Sequence, residues 1–184
     1  GGYQSICGIQ PDLSTFGKAV ANGYPLGVIA GKKKYMDYFV DPDKSKRVMI
    51  AGTFNAFPLT TAAAIATLKK LGSSKHGVYA HVEALGARLE QGYKEIFPKL
   101  GIPFYVARQG SAFCTYFMDH APVNFHDILD NHNFELDTQY RKKLIKEGIF
   151  NFPAPIKQGS ISFAHTEEDI DRTLEATERV IKSL

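Results

Sequence analysis

The stretch PDLSTFGKAVANGYPLGVIAG, residues 11–31, carries one charged side chain after Asp12, and that side chain is Lys18. Its neighbours are small, apolar or glycine, whereas the chain elsewhere groups its lysines, as at residues 32–34. A buried ammonium group without a partner tends to lose its charge, and the neutral amine is a nucleophile. Lysine can reach that state and arginine cannot. The stretch is therefore compatible with a Schiff-base lysine and equally with a lysine at a strand end that extends its amine to water.

A second segment of interest, AGTFNAFP at residues 51–58, immediately precedes an alanine-rich helix predicted over residues 58–71. Gly52, Thr53 and Asn55 offer backbone N–H groups and side-chain donors to an anion at the start of that helix. Thr and Asn before a helix also act as caps and turn residues. Binding of pyridoxal 5'-phosphate (PLP) requires at least a desolvated lysine and a segment that binds the phosphate.

The composition is that of a soluble globular protein, with 44% hydrophobic and 22% charged residues and a net charge of +3. The basic residues do not form one patch interleaved with aromatic residues, which argues against a nucleic-acid partner. No apolar run is long enough to span a membrane, and the opening GGYQSICGIQ lacks the features of a signal peptide. We therefore expect no membrane association and a cytoplasmic location.

The order of predicted elements indicates the tail of an α/β domain at residues 1–72, followed by a linker helix and a small α+β domain at residues 73–184. Asn22-Gly23 predicts a tight turn between two short strands. Thr166 and the acidic residues after it predict the start of a final helix. The predicted strands are 13–17, 26–30, 102–108, 111–118, 149–152 and 160–164, and the predicted helices are 58–71, 76–99, 124–131, 135–147 and one from about 167.

Cysteine and histidine residues carry no predicted chemistry. Cys7 and Cys114 belong to no CxxC pair, and we interpret them as free thiols. His120, His126 and His132 share no metal-ligand spacing with other donors, so we interpret them as loop or surface residues. No metal site is predicted.

The motifs of the chain resemble successive segments of class III, fold-type I aminotransferases. Residues 11–37 are similar to that family's PDL-x-x-x-GK segment with its glycine-rich turn and P-[LV]-[GA]. GTFNAFPLTTAAAIATL, residues 52–68, is similar to its G-T-x-x-x-x-P-x-x-x-A-A segment. GSAFCTYF (110–117) and SFAHTEEDIDRTLEA (162–176) resemble the small domain of the glutamate semialdehyde aminomutase branch. The matches follow the family's order and cover nearly the whole chain.

This resemblance implies a PLP-dependent aminotransferase whose Lys18 forms the Schiff base with the cofactor and then moves a proton as general base and acid. It implies that Gly52 and Thr53 bind the cofactor phosphate, with Thr53 acting from the neighbouring protomer of a homodimer. Residues 1–72 would be the C-terminal part of the PLP-binding large domain, and residues 73–184 would contain the small α+β C-terminal domain. The substrates would be a small amino donor and a carbonyl acceptor. An aminomutase or racemase on the same scaffold, and a non-catalytic fragment, are the alternatives.

Two departures from the family pattern concern the substrate. Phe57 stands before Pro58 where family members usually carry asparagine, and Lys157 stands where the aminomutase branch has a glutamate near the substrate amine. This charge reversal argues against glutamate semialdehyde. We predict Asn55 and Lys157 as substrate contacts, with Lys157 meeting a carboxylate or phosphate, or else being an exposed loop lysine. Phe54 and Phe57 point to a less polar substrate, or to core packing.

The third departure is length, because family chains are more than twice as long. The resemblance implies that the other half supplies an aspartate for the pyridine nitrogen, an aromatic residue that stacks on the ring and another part of the phosphate site. We therefore expect that the preceding half exists as another chain or a cleaved segment that remains associated, and that these 184 residues alone are not a competent enzyme.

Overall fold

The first unit of the fold, which extends to His76, combines a two-stranded antiparallel sheet with helices. The computed structural model describes residues 2–184 and divides the chain into this unit and a second unit, Gly77–Leu184. The elements of the first unit are α1 (Tyr3–Cys7), β1 (Leu13–Phe16), a 3-10 helix (Lys18–Ala21), β2 (Val28–Gly31), α2 (Lys33–Met36), a second 3-10 helix (Asp37–Phe39) and α3 (Pro58–Leu71).

The connection between β1 and β2 contains the first 3-10 helix and then the turn at Asn22-Gly23. Both turn residues have positive φ, 46° and 103°, so the predicted tight turn is confirmed. β2 begins two residues later than predicted. Phe16, the last residue of β1, pairs with Val28 in the antiparallel register. The residues before Val28 therefore have no strand residue opposite them and do not join the sheet.

Helix α3 has the predicted bounds, with Pro58 at its first position and Gly72 directly after it. It packs mainly on the first 3-10 helix rather than on a strand. Ala21 of the 3-10 helix is fully buried, and Thr60 and Ala64 on one face of α3 are buried as well. Small side chains on both elements allow this close approach.

Much of the apolar surface of the first unit is uncovered. Within residues 2–76 only Ala21, Thr60 and Ala64 are buried. Apolar patches of this extent mark surfaces that pack against other protein. The exposed large apolar residues are Tyr3, Ile6, Ile9, Leu13, Phe16, Tyr24, Ile29, Tyr35, Tyr38, Val40, Val48, Met49, Ile50, Phe54, Phe57, Leu59, Ile65 and Leu68.

The second unit packs helices around a small antiparallel sheet with strand order β3-β4-β5. α4 contacts both α7 and β3, and α6 contacts α7, so the core lies among these elements. The elements are α4 (Val78–Lys99), β3 (Tyr105–Gln109), β4 (Ala112–Tyr116), α5 (Phe125–Asn131), α6 (Phe134–Lys146), β5 (Gly159–Ser160) and α7 (Glu167–Lys182). The buried cluster comprises Leu85, Leu89, Tyr93, Phe97, Val106, Phe117, Tyr140, Leu144, Ile161, Ile170, Ala176, Val180 and Ile181.

The segment between α6 and β5 differs from the prediction. Residues 149–152 form no strand, and β5 covers Gly159–Ser160 instead of 160–164. Pro153 and Pro155 have no N–H to donate to a sheet, which disfavours pairing there. Backbone groups of this segment are instead bound by side chains of α6.

Helix α7 begins with a capping box. The Thr166 hydroxyl accepts a hydrogen bond from the Asp169 N–H, and the Asp169 carboxylate accepts one from the Thr166 N–H. The Thr166 N–H and the Thr166 hydroxyl both donate to the Asp169 carboxylate, and these two bonds lower the pKa of Asp169. The predicted start of the final helix at Thr166 is therefore confirmed, and the reciprocal bonds satisfy two backbone donors that would otherwise be free.

We expect Thr166→Ala to lower the free energy of unfolding by about 1 kcal/mol, because one of these backbone donors loses its partner. Urea unfolding measures the difference. The matched control is Thr173→Ala in the middle of α7, where alanine has the higher helix propensity and no cap is lost. Equal destabilisation by the two changes would contradict the capping role of Thr166.

Candidate active site

Lys18 is the first residue of the 3-10 helix that follows β1. Its φ is +52°, in the left-handed region that is uncommon for non-glycine residues. The preceding Gly17 is extended, so the chain turns sharply at the lysine. Backbone strain of this kind is concentrated at functional sites, where the surroundings hold an unfavourable conformation in place.

The Lys18 side chain is exposed, and its amine forms no hydrogen bond or ion pair within residues 2–184. The expected burial of this lysine is therefore not found in the chain as described. The small, apolar neighbours of Lys18 in the sequence predicted a buried amine. In the structure these neighbours lie in a unit that buries little surface, so the amine stays exposed. The amine is free to react with a carbonyl group, and no competing carboxylate holds it.

The segment with Gly52, Thr53 and Asn55 forms a turn over residues 53–56, directly before α3. The Asn55 N–H donates to the Gly52 carbonyl at 3.0 Å. A Cβ on Gly52 would lie 2.8 Å from Asn55 Oδ1, so a larger residue at this position would require the Asn55 side chain to move. Ala56 closes the turn with φ +54°.

The N-terminus of α3 has no side-chain cap. Phe57 occupies the cap position, and neither Thr53 nor Asn55 bonds to the first turn of the helix. The interpretation of these two residues as caps is therefore wrong, whereas their place in a turn is confirmed. Free N–H groups at a helix start, together with the helix dipole, favour a bound anion such as a phosphate.

The two segments belong to the same unit. α3 packs on the 3-10 helix that Lys18 begins, so the helix with the uncapped N-terminus lies against the element that presents the lysine. No hydrogen bond joins Lys18 to Gly52, Thr53 or Asn55 in the part of the chain that the structure describes. Each segment fits one demand of PLP: Lys18 offers a free amine, and the start of α3 offers N–H groups for a phosphate.

Phe54 and Phe57 contact each other edge to face, with ring centroids 6.1 Å apart. Both rings are exposed, so the interpretation of these residues as core is wrong for this unit. A cavity of about 330 Å³ in the same unit lies instead along β1 and β2. Lys18 does not line this cavity. Lys32 does, and its Nζ is paired with Asp12 Oδ1 at 2.7 Å. The cavity is therefore separate from the candidate site.

Lys157 lies in the second unit, in the irregular segment between α6 and β5, and its side chain is exposed. Its amine lies 5.9 Å from the centroid of the Phe152 ring. The residue before it, Ile156, has φ +51°. Lys157 is thus presented at the surface by a strained loop, and no carboxylate within residues 2–184 pairs with it.

Four non-glycine residues among 2–184 have positive φ, and three of them coincide with or adjoin a candidate residue. They are Lys18 itself, Ala56 next to Asn55, and Ile156 next to Lys157. Asn22, the fourth, belongs to the predicted turn. Unfavourable backbone conformations persist only where neighbouring contacts enforce them, so this coincidence supports a functional reading of the three positions.

Sequence reasoning missed a buried polar cluster in the second unit. His132 lies in the loop between α5 and α6, as interpreted, but its side chain is 0% exposed, so its interpretation as a surface residue is wrong. Asp137 and Arg141 are buried on α6, on the same face as the core residues Tyr140 and Leu144. Their spacing of four residues along an otherwise apolar helix face was the available signal.

The remaining polar groups suggest no second reactive centre. Burial raises the pKa of the Cys114 thiol, which keeps it protonated, and Cys7 is a free exposed thiol. His120 lies on the surface between Asp119 and Asp127. Within the described residues, no three His, Cys, Asp or Glu side chains converge as metal ligands, and no helix has the length and apolar character needed to cross a bilayer.

Comparison with known proteins gives the same family throughout. The family model "Aminotransferase class-III" matches residues 2–181. Glutamate-1-semialdehyde 2,1-aminomutase 2 of Brevibacillus brevis is 36% identical over 99% of this chain, which spans 41% of the relative's length. The chain thus covers about two fifths of the curated relatives it matches.

Solved structures extend the comparison to the fold. An omega-transaminase from Sphaerobacter thermophilus matches with a TM-score of 0.84 and 26% identity, covering 99% of this chain and 41% of that one. The PLP internal aldimine form of the FumI protein of Sphingopyxis sp. MTA144 matches with a TM-score of 0.80 and 27% identity, covering 98% of this chain and 38% of that one. The architecture is the mixed α/β fold of PLP-dependent aminotransferases, and this chain belongs to the class III aminotransferase family.

Proposed function

We propose that this chain carries the cofactor-binding lysine of a PLP-dependent aminotransferase that moves an amino group between an amine or amino acid and a carbonyl compound. The observation that carries the proposal is Lys18, a free and exposed amine on a strained residue between β1 and the first 3-10 helix. PLP, when bound, supplies an aldehyde that condenses with amines and a ring that accepts electrons.

The chain's own residues then have distinct tasks. The Lys18 amine holds the cofactor and, once released from it, takes the proton from the substrate carbon that bears the amino group, acting as general base and then as general acid. Gly52 and Thr53 bind the phosphate beside the uncapped start of α3, where N–H groups favour an anion. A hydroxyl and backbone donors can bind phosphate without an added positive charge.

We further propose that Thr53 acts on the cofactor of a neighbouring protomer, which makes a homodimer part of the active site. The exposed apolar residues of the first unit are consistent with extensive contact to further protein. In this arrangement the first unit is the C-terminal part of the PLP-binding large domain, and the second unit contains the small C-terminal domain.

The activity requires more than the residues described. The chain spans 41% of a curated relative's length, so we propose that the segments corresponding to the rest of that length pack on the first unit, as another chain or a cleaved, associated segment. These segments would supply the acidic partner of the pyridine nitrogen and the stacking aromatic residue. Without such an acidic partner the ring is a weak electron acceptor.

For the substrate we propose a carboxylate-bearing molecule that Lys157 contacts, with Asn55 as a second contact near the cofactor. Lys157 is an exposed cation without a carboxylate partner in residues 2–184. The aminomutase branch carries a glutamate at the matching position in the resemblance, so the opposite charge disfavours glutamate semialdehyde and favours an anionic group there.

We expect Lys157→Met to raise the KM of a carboxylate-bearing amino donor by about tenfold and to leave kcat nearly unchanged, because a charge-assisted contact to the bound substrate is lost. The KM of a neutral amine donor should not change. Lys142→Met, which removes an exposed cation of α6, is the control. An equal KM effect on both donors would contradict a carboxylate contact.

An aminomutase or racemase is the second candidate, favoured by the relative from Brevibacillus brevis at 36% identity. Such an enzyme needs no external amino donor. Turnover measured with and without an added donor therefore separates the two candidates: strict dependence on the donor supports the aminotransferase, and independence supports the alternative.

The decisive test of the cofactor assignment is mass spectrometry of the intact preparation after incubation with PLP and reduction with borohydride, followed by peptide mapping. Reduction fixes PLP to the amine that holds it, and the same spectrum reveals any associated polypeptide. A phosphopyridoxyl group on Lys18 supports the proposal. A preparation that contains its associated segment and shows no adduct on Lys18 supports a non-catalytic fragment instead.

A further inference from the structure

An ion pair is buried on α6 of the second unit. Arg141 Nε donates to Asp137 Oδ1 at 2.6 Å, and the two residues are 3% and 0% exposed. Removing two charges from water costs several kcal/mol for each ion, and apolar residues of similar size often stabilise a protein as well or better. Stability alone is therefore a poor explanation for charges at these two positions.

The remaining polar atoms of the pair bind the backbone of the segment that contains Lys157. The Ile156 N–H donates to Asp137 Oδ2 at 2.7 Å, and Arg141 Nη1 donates to the Lys157 carbonyl at 3.1 Å. Arg141 Nη1 also lies 3.5 Å from the Phe152 carbonyl. The ion pair thus holds the segment at both sides of Ile156.

Ile156 is the strained point of this segment. It is a β-branched residue with φ +51°, a backbone conformation that such residues rarely adopt and that costs free energy relative to a relaxed one. The two bonds from α6 flank this residue, and each involves a charged group, which makes it stronger than a neutral hydrogen bond. The two bonds therefore restrain the backbone on both sides of the left-handed residue.

Behind the pair lie strand β4 and the loop between α5 and α6. Arg141 Nη2 donates to Thr115 Oγ1 of β4 at 3.2 Å. His132 Nδ1 accepts from the Phe117 N–H, and His132 Nε2 lies 3.2 Å from Asp137 Oδ2 without a hydrogen bond to it. The bond to Thr115 thus ties the guanidinium of the pair to the sheet.

We propose that Asp137 and Arg141 are positioning residues that hold segment 152–157 and thereby fix where Lys157 meets the substrate carboxylate. The inference rests on the proposed function, because Lys157 needs a fixed position only if it contacts substrate. The outer face of the segment is exposed at Phe152 and Lys157, so packing of these side chains does not hold it in place. The backbone bonds to α6 do so instead.

The test uses the double variant Asp137→Leu/Arg141→Met, which removes both charges together and avoids leaving one buried and unpaired. The first readout is limited digestion with trypsin. The bond after Lys157 contains the carbonyl that Arg141 binds, so we expect its cleavage rate to rise at least about tenfold in the variant. Cleavage after the exposed Lys75 is the internal reference, and Lys142→Met is the control variant.

The second readout is steady-state kinetics of the holoenzyme with a carboxylate-bearing donor and a neutral amine. We expect the double variant to raise KM for the carboxylate donor about as much as Lys157→Met does, with no further rise when the changes are combined. KM for the neutral amine and kcat should stay close to the parent values. General destabilisation would change all of these constants, not KM for the carboxylate donor alone.

Three results would contradict the positioning role of Asp137 and Arg141. An unchanged cleavage rate after Lys157 overturns the claim that the pair holds the segment. Faster cleavage with an unchanged KM, where Lys157→Met does raise KM, overturns the positioning role alone. If Lys157→Met itself leaves KM unchanged, the proposed role of Lys157 in substrate binding fails, and the positioning role fails with it, whatever the digestion shows.

Discussion

Replacing Lys18 by alanine is expected to abolish amino transfer and to remove the site that PLP labels after borohydride reduction. The amine has two tasks in the proposed function, holding the cofactor and moving a proton, and the loss of a positioned acid–base group alone costs about 10²–10⁴-fold in rate. Activity is measured as transfer of an amino group from a defined donor, and labelling is measured by peptide mapping.

Lys18→Arg separates the charge of this residue from its nucleophilic amine. Arginine keeps the positive charge but stays protonated at neutral pH, so it should be as inactive as alanine. Lys44→Ala, which removes an exposed lysine of the same unit, should leave activity and labelling unchanged. Labelling that moves to another lysine while amino transfer continues in Lys18→Ala would overturn the assignment.

The largest effect on stability is expected from Phe97→Ala in the second unit. The Phe97 ring is 0% exposed and stacks on Phe104 with centroids 3.6 Å apart, while Phe117 and Tyr140 meet it edge to face. Truncation leaves a cavity among these rings in addition to the lost burial. A change of this type costs about 3–5 kcal/mol of the free energy of unfolding, measured by urea unfolding.

The matched comparison is Tyr79→Ala on the same helix, α4. Tyr79 is 64% exposed, so its truncation should change the free energy of unfolding by no more than about 0.5 kcal/mol. If Phe97→Ala cost less than about 1 kcal/mol, the surrounding rings would have to collapse into the space it leaves, and the stacked arrangement would not be the centre of the core.

The elements that the sequence predicted well are those set by neighbouring residues. Helix α3 has the predicted bounds because Pro58 and Gly72 act locally, and α7 starts at Thr166 because its cap lies within one turn. The segment at residues 149–152 was predicted as a strand from its apolar residues. It forms no strand, and the backbone that follows it, at Ile156 and Lys157, binds charged side chains of α6, which are distant in sequence.

For the candidate site, the sequence by itself identified Lys18, because one charge among small apolar residues is visible without coordinates, and its motifs identified the family. Only the tertiary structure decided that this lysine is exposed in the described chain, that His132 is buried and that Asp137 and Arg141 bind the segment of Lys157. Burial and non-local hydrogen bonds depend on which distant segments meet. A local pattern determines which helices and turns form, but not what covers them.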